Sequence, residues 1–146
     1  QRLVRRLCDA CKTSQKVSPD LKSKLEKALA TMPARVNRDD YKEFQLFQPK
    51  GCPKCMDSGY KGRVAIFELL VNDPEYRKLT DDARQKLASE QELENLITRS
   101  AGVSEILNYA LKSGMVTLQQ DGILKVISGI STFEEVAEAT GPIKWA

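Results

Sequence analysis

Four cysteines in two C-x-x-C pairs constrain this 146-residue chain more than any other feature. Cys8 and Cys11 stand in "LCDACK", Cys52 and Cys55 in "GCPKCMDSGYKGR", and the 40 residues 12–51 lie between the pairs. A C-x-x-C turn aims two sulfurs at one point, and two such turns complete a tetrahedral shell with each sulfur about 2.3 Å from a central ion. Around the second pair, Pro53 narrows the turn, while Gly59 and Gly62 permit positive φ just beyond it. The chain can thus wrap the sulfurs and leave as a strand. The pattern predicts a structural zinc ion held by Cys8, Cys11, Cys52 and Cys55. Protein fills every coordination position, so such a site is closed and not itself catalytic. It would fasten the 12–51 excursion to the strand-like run at 64–71.

Other uses of the thiols fit less well. Disulfides need an oxidising compartment and usually serve a much shorter secreted chain. A redox C-x-x-C stands alone at a helix start beside a βαβ pattern, which is not found here. An iron–sulfur cluster would use the same four ligands, and spacing leaves it open. Histidine is absent. Metal ligands are therefore cysteines or carboxylates, and a histidine acid/base relay is excluded.

The expected fold class is α+β: a small zinc-bearing half with short strands, residues 1–71, followed by a helical half, residues 72–146. "QRLVRRL" suits either a helix face or a strand. Ser18 as N-cap and Pro19 at the first helical position open a helix whose stripe is Leu21, Leu25, Ala28, Leu29 and Met32, and Pro33 ends it. Phe44–Gln48 alternates as a short strand, and Val64–Val71, "VAIFELLV", is the strongest strand candidate. Beyond it, Asp73-Pro74 opens a short helix with Tyr76 and Leu79. Ser89 with Glu92 forms a capping box ahead of Leu93, Leu96 and Ile97. Ser104 caps Ile106 to Leu111, with Gly114 as the stop. Thr117 with Gln120 opens a helix closed by Gly129, and Thr132 with Glu135 opens a last one ended by Gly141-Pro142. No apolar run approaches the ~18 residues of a membrane-spanning helix. The chain begins at Gln1 without a leader pattern, so it reads as a piece of something larger.

Charge is uneven. Residues 1–63 hold fifteen Lys/Arg against seven Asp/Glu, and residues 64–146 hold eight against thirteen. The basic half is read as a solvated face that balances local negative charge, to which four thiolates on one zinc would add. The competing reading is a zinc-ribbon nucleic-acid module, in which Tyr41, Phe44, Phe47 and Tyr60 would stack on bases among lysines and arginines. A thiol redox protein is a third, weaker reading.

Three blocks, "QRLVRRLCDACK", "GCPKCMDSGYKGRVAIFELLV" and "GMVTLQQDGILKVISGISTFEEVAEATG", resemble the C-terminal end of the secretion and pilus-assembly ATPases, the motors of type II secretion and type IV pilus extension. The resemblance covers most of 1–71 and 114–141. The G-Y-K-G-R run into "IFELL" and the "GM-x-T-L…DG…KV…G…EEV" tail are its narrowest signals. It implies that Cys8, Cys11, Cys52 and Cys55 are the family's metal ligands. The first knuckle departs in reading C-D-A-C where proline often follows the first cysteine, the stretch 80–103 is longer than the family pattern, and "PIKWA" matches nothing in it. The resemblance further implies a parent that hydrolyses ATP with Mg(2+) as a hexamer, in the cytoplasm at the inner membrane, with neighbouring subunits and membrane platform proteins as partners and no nucleic acid. No G-x-x-x-x-G-K-[ST] occurs here, and the family's histidine box is impossible without histidine. This piece is therefore expected not to hydrolyse ATP alone, and to act as a structural and coupling module.

Individual residues carry expectations as well. Arg2, Arg5 and Arg6 read as solvated charges beside the zinc site, with contact to a nucleotide or neighbouring subunit as the bolder option. Glu68 would share a strand face with Val64, Ile66 and Leu70 and pair with Arg63 or Arg5, or simply block an exposed edge. Gly122 inside a helical pattern costs about 1 kcal/mol against alanine, which points to close helix packing before a hinge. Trp145 reads as a loosely held terminal residue.

Overall fold

In a computed structural model the described residues are 1–33, 36–41, 45–71 and 90–145. The helix expected at Asp73-Pro74 with Tyr76 and Leu79, the Ser89 cap and Phe44 lie outside them. Two compact units emerge: residues 1–32, 38–68 and 117–146 form one, and residues 33–37 and 69–116 the other. The architecture is α+β, with short strands preceding most of the helices.

The strands of the first unit are β1 (Arg2–Leu7), β2 (Thr13–Gln15), β3 (Leu46–Gln48) and β4 (Tyr60–Ile66). They join as two separate antiparallel ribbons, β1 with β4 and β2 with β3, so β1 pairs far along the chain rather than with its sequence neighbour. Val4 faces Val64 and Arg5 faces Arg63, and an irregularity between Arg5 and Leu7 then sets Leu7 opposite Tyr60. The ambiguous "RLVRRL" is thus a strand, because Val4, Leu7 and Ile66 are buried by its pairing. Helix α1 (Pro19–Thr31) starts as expected, with Ser18 Oγ accepting from Leu21 N–H, and buries Leu25, Ala28 and Leu29 with Met32 just beyond.

The strand expected over Val64–Val71 starts at Tyr60 instead and stops at Ile66. Hydrogen bonds with the C-terminal part take over there. Asp121 Oδ2 accepts the Phe67 N–H at 2.8 Å, and Glu68 Oε2 accepts the Leu118 N–H at 3.1 Å. Glu68 therefore does not share a strand face with Leu70 or pair with Arg63 or Arg5. It satisfies an orphan donor in the first turn of the helix Leu118–Ile127, where negative charge also suits the helix dipole.

In the second unit, α2 (Glu90–Thr98) and α3 (Val103–Lys112) bury Leu93, Leu96 and Tyr109 together, with Leu70 and Ala101 against them. Ile97, expected on the same stripe, is exposed. The cap of α3 is Gly102, not Ser104: Glu105 reaches back to the Gly102 N–H and also pairs with Arg99 at 2.8 Å. Among the described residues, no helix is long and apolar enough to cross a membrane.

The chain then returns to the first unit. Helix α4 (Leu118–Ile127) has the expected reciprocal cap, Thr117 with Gln120, and Gly129 closes it at φ +69. Helix α5 (Phe133–Thr140) starts from Thr132, but Glu135 does not reach back to complete a capping box; its carboxylate goes to Arg5. The C-terminal residues are fastened rather than loose. Trp145 meets Phe133 edge-on at 5.5 Å, and Gln119 accepts from Lys144 N–H and donates to Pro142 O.

Gly122 lets α4 and α5 approach closely. A Cβ there would lie 2.5 Å from Val136 Cγ1, and Val136 is fully buried. Gly122→Ala is expected to lower unfolding stability by about 1–3 kcal/mol through overpacking, against the helix propensity it gains. Urea unfolding should show that loss, with most of it recovered in the Gly122→Ala/Val136→Ala double variant. A single variant as stable as the parent would favour the hinge explanation.

Candidate metal centre

The two ribbons bracket both knuckles. Cys8 follows β1 directly and Thr13, two residues past Cys11, opens β2. Cys52 lies four residues past β3, and β4 begins five residues past Cys55. Pairing Leu7 with Tyr60 and Thr13 with Gln48 therefore brings the two C-x-x-C turns together from both sides. The Cys8 N–H donates to Gly59 O at 2.9 Å and ties the first knuckle to the exit of the second.

Each knuckle closes in the same way. Cys8 O accepts from the N–H groups of Cys11 and Lys12, and Cys52 O accepts from those of Cys55 and Asp57. Past Cys55 the chain reverses through Met56 and Asp57 at φ 52 and 57, then Gly59 at +77. Glycine is required at 59, since a Cβ would sit 2.4 Å from Pro49 Cβ. The tight reversal aims the N–H groups of Gly59 and Cys52 at Cys55 Sγ, both at 3.3 Å.

All four sulfurs lie within 4.8 Å of one another. The Sγ–Sγ separations are 4.0 Å for Cys8–Cys52, 3.8 Å for Cys11–Cys55 and 3.7 Å for Cys52–Cys55. A tetrahedron with sulfurs about 2.3 Å from its centre has edges of about 3.8 Å, so the donor set has the size and chemistry for one metal ion such as zinc. A multi-iron cluster would have to stand between the sulfurs and spread them further. The four are free thiols, not cystines. Cys8 and Cys55 are buried, while Cys11 and Cys52 are half-buried.

The thiols are electrostatically unequal. Burial works to raise Cys55, but the N–H groups of Cys52 and Gly59 outweigh it and bring that thiol down to about 7. Burial pushes Cys11 up to about 12 against one opposing N–H from Gly51, and contacts with the other three thiols add to the rise. Four crowded thiols resist ionising together, and a divalent cation at their centre removes that resistance.

Two aromatics of the nucleic-acid reading, Phe47 and Tyr60, are committed elsewhere. Phe47 lies under the Lys12 ammonium at 5.0 Å and abuts Gly129, where a Cβ would be 2.8 Å from its ring. Tyr60 lies under the Arg5 guanidinium at 4.4 Å, and its hydroxyl meets Thr132 Oγ1 at 3.3 Å. Tyr41 sits half-buried on a short 3-10 turn. Of the arginines read as solvated, Arg5 is instead a structural partner. Its Nε donates to Glu135 Oε2 at 2.9 Å, its own N–H to the same oxygen at 3.1 Å, and its carbonyl accepts from Ser131 Oγ at 2.9 Å. Glu135 was hidden by its fit to a capping pattern. Only its burial, at 6% exposed, reveals the second role.

The family model described as type II/IV secretion system protein matches residues 1–138. The chain is 35% identical over 140 residues to the type IV pilus assembly ATPase PilB of Thermus thermophilus, covering 96% of this chain and 13% of that protein. It is 34% identical over 143 residues to the protein of the same name from Myxococcus xanthus, covering 97% and 21%. It is 34% identical over 140 residues to type II secretion system protein E of Pectobacterium carotovorum, covering 96% and 22%. The chain thus spans between 13% and 22% of the length of these relatives. With nearly its whole length matched, the chain belongs to the type II/IV secretion system protein family, alongside assembly ATPases of type IV pili and protein E of type II secretion.

Proposed function

We propose that this chain is the C-terminal, zinc-stabilised module of a hexameric ATPase that drives type IV pilus assembly or type II protein secretion. Cys8, Cys11, Cys52 and Cys55 hold the ion. Its role is structural and coupling: the closed metal centre has no open position for a substrate, and the chain has no phosphate-cradling loop. The convergence of four sulfurs at tetrahedral spacing, from both ends of the 12–51 excursion, carries the reading. Membership of the family supports the reading that the module belongs to such a motor. Hydrolysis of ATP with Mg(2+) resides in the rest of that motor, cytoplasmic and peripheral to the inner membrane, where neighbouring subunits and platform proteins are the partners.

Metal analysis and an ATPase assay on the purified chain test this together. One zinc per chain and no ATP turnover are expected. Iron in its place, or substoichiometric metal after zinc-supplemented growth, would overturn the metal reading. ATP turnover by the chain alone would overturn the division of labour. A salt-sensitive shift of labelled DNA or RNA at near-physiological salt would revive the nucleic-acid alternative, against which the packing of Phe47 and Tyr60 counts.

A further inference from the structure

We propose that Lys54 and Lys61 are the counter-charges of the tetracysteine centre and set how tightly it holds its metal. The inference rests on the metal reading above and adds two residues that no ligand pattern includes. A divalent ion with four thiolates carries a net double negative charge, and part of it is out of water, since Cys8 and Cys55 are buried. A partly desolvated charge needs partners.

The cations of the first knuckle are already engaged. Asp9 accepts from Arg6 at 2.9 Å and from Lys12 at 2.8 Å, and Lys12 also donates to Gly129 O at 2.9 Å. The Lys12 ammonium, with Arg6 behind it, holds the Asp9 carboxyl below the usual carboxylate range. Lys54 and Lys61 differ. Among the described residues neither has a carboxylate partner, although other lysines of this unit do, Lys24 with Asp20 and Lys125 with Asp121. Both line one cavity of about 330 Å³ together with Cys8, Arg6 and Asp9.

Their placement follows from the fold. Lys54 lies inside the second knuckle, C-P-K-C. Lys61 follows Tyr60, which the β1–β4 register sets opposite Leu7, so strand pairing places it beside the end of β1, just ahead of the first knuckle. Two exposed ammonium groups with no carboxylate partner among the described residues thus line a cavity that the ligand candidate Cys8 also lines, beside a centre that would gain negative charge on metal loading. Without them the same sulfurs would still converge, but the loaded state would be less favourable.

The test uses the whole chain, zinc alone as the probe, and competition with a chromogenic chelator at low and at near-physiological salt. Lys54→Glu/Lys61→Glu is expected to weaken zinc binding by about tenfold or more at low salt, with a smaller loss where salt screens the charges. Lys54→Arg/Lys61→Arg keeps the charge and should stay within about twofold of the parent. Lys16→Glu/Lys27→Glu makes the same change in net charge at exposed positions away from the cavity and should also stay within that range. Far-UV circular dichroism checks that each variant is folded. Should the double reversal fail to fold, Lys54→Gln/Lys61→Gln removes the charge alone and should weaken zinc severalfold. Parent-like affinity in the folded variants, or an equal loss in the remote control, overturns the proposal and leaves the metal centre standing. A parent chain that binds no zinc overturns the metal reading itself.

Discussion

Cys55→Ser is expected to take the zinc content from one per chain to near zero and to cost the cysteine knuckles more than about 4 kcal/mol of local stability, the range in which loss of a metal belongs. Cys55 is the thiol on which most of the local structure is centred. It is buried, it receives N–H groups from Cys52 and Gly59, and it ionises more easily than Cys11. Serine keeps the shape but offers zinc a hydroxyl whose proton it does not release near neutral pH. Metal binding free energy here is also folding free energy, of the order of 10–16 kcal/mol in zinc-finger peptides. This chain also buries Val4, Ile66, Ile123 and Val136 independently of the metal, so the loss should be local rather than global. Hydrogen exchange should show the backbone of 8–15 and 46–59 losing protection while α4 and α5 keep theirs. Metal affinity should rise with pH, because the thiols must shed protons to bind. A Cys55→Ser chain that retains a full zinc and the parent's melting temperature would remove the basis of the assignment.

Arg5→Ala is expected to cost about 2–3 kcal/mol, less than a fully buried pair because Arg5 is 53% exposed and water reaches it. The cost is asymmetric. Losing the Arg5 side chain leaves the Glu135 carboxylate, only 6% exposed, with the backbone N–H of residue 5 as its donor from β1. Losing the charge of Glu135 leaves a guanidinium that water can solvate, so Glu135→Gln should cost about 1–2 kcal/mol. The pH dependence of the pair comes from Glu135. The Arg5 hydrogen bond, against burial, holds Glu135 below the usual carboxylate range. A carboxylate depressed in the folded state stabilises fully above its unfolded value of about 4.3, and that stability is lost as pH falls through the folded value. Arg5 is raised above an already high value and stays protonated throughout. Urea midpoints at neutral pH and below the carboxylate range should therefore show the Glu135→Gln penalty shrinking on acidification. A penalty that is the same at both would mean that packing, not charge, is its source.

Much of the four-cysteine cluster was legible in the chain itself, because its signal is local. C-x-x-C spacing, Pro53 and the glycines at 59 and 62 act within a few bonds, and both glycines take positive φ as expected. The caps at Ser18 and Thr117 are local in the same sense. Family membership was legible through the same short blocks. What failed were boundaries and partners decided across the chain. The strand expected to reach Val71 ends at Ile66, where Asp121, 54 residues from Phe67, takes the next N–H. Trp145 is held by Phe133 and Glu135 by Arg5, pairs that no periodicity reports.

Local pattern alone was enough for the four ligand candidates, the class of fold and the helix starts at Ser18, Thr117 and Thr132, since each depends on residues about a turn apart. It took the folded chain to establish that residues 117–146 join the strands and the cysteine knuckles in one compact unit. The same holds for Glu68 and Asp121 bridging strand end and helix start, and for Lys54 and Lys61 sharing a cavity with the first knuckle. Those outcomes depend on which buried faces and unpaired charges meet once the chain closes. Burial and pairing are sums over distant residues, and spacing within a few positions does not encode them.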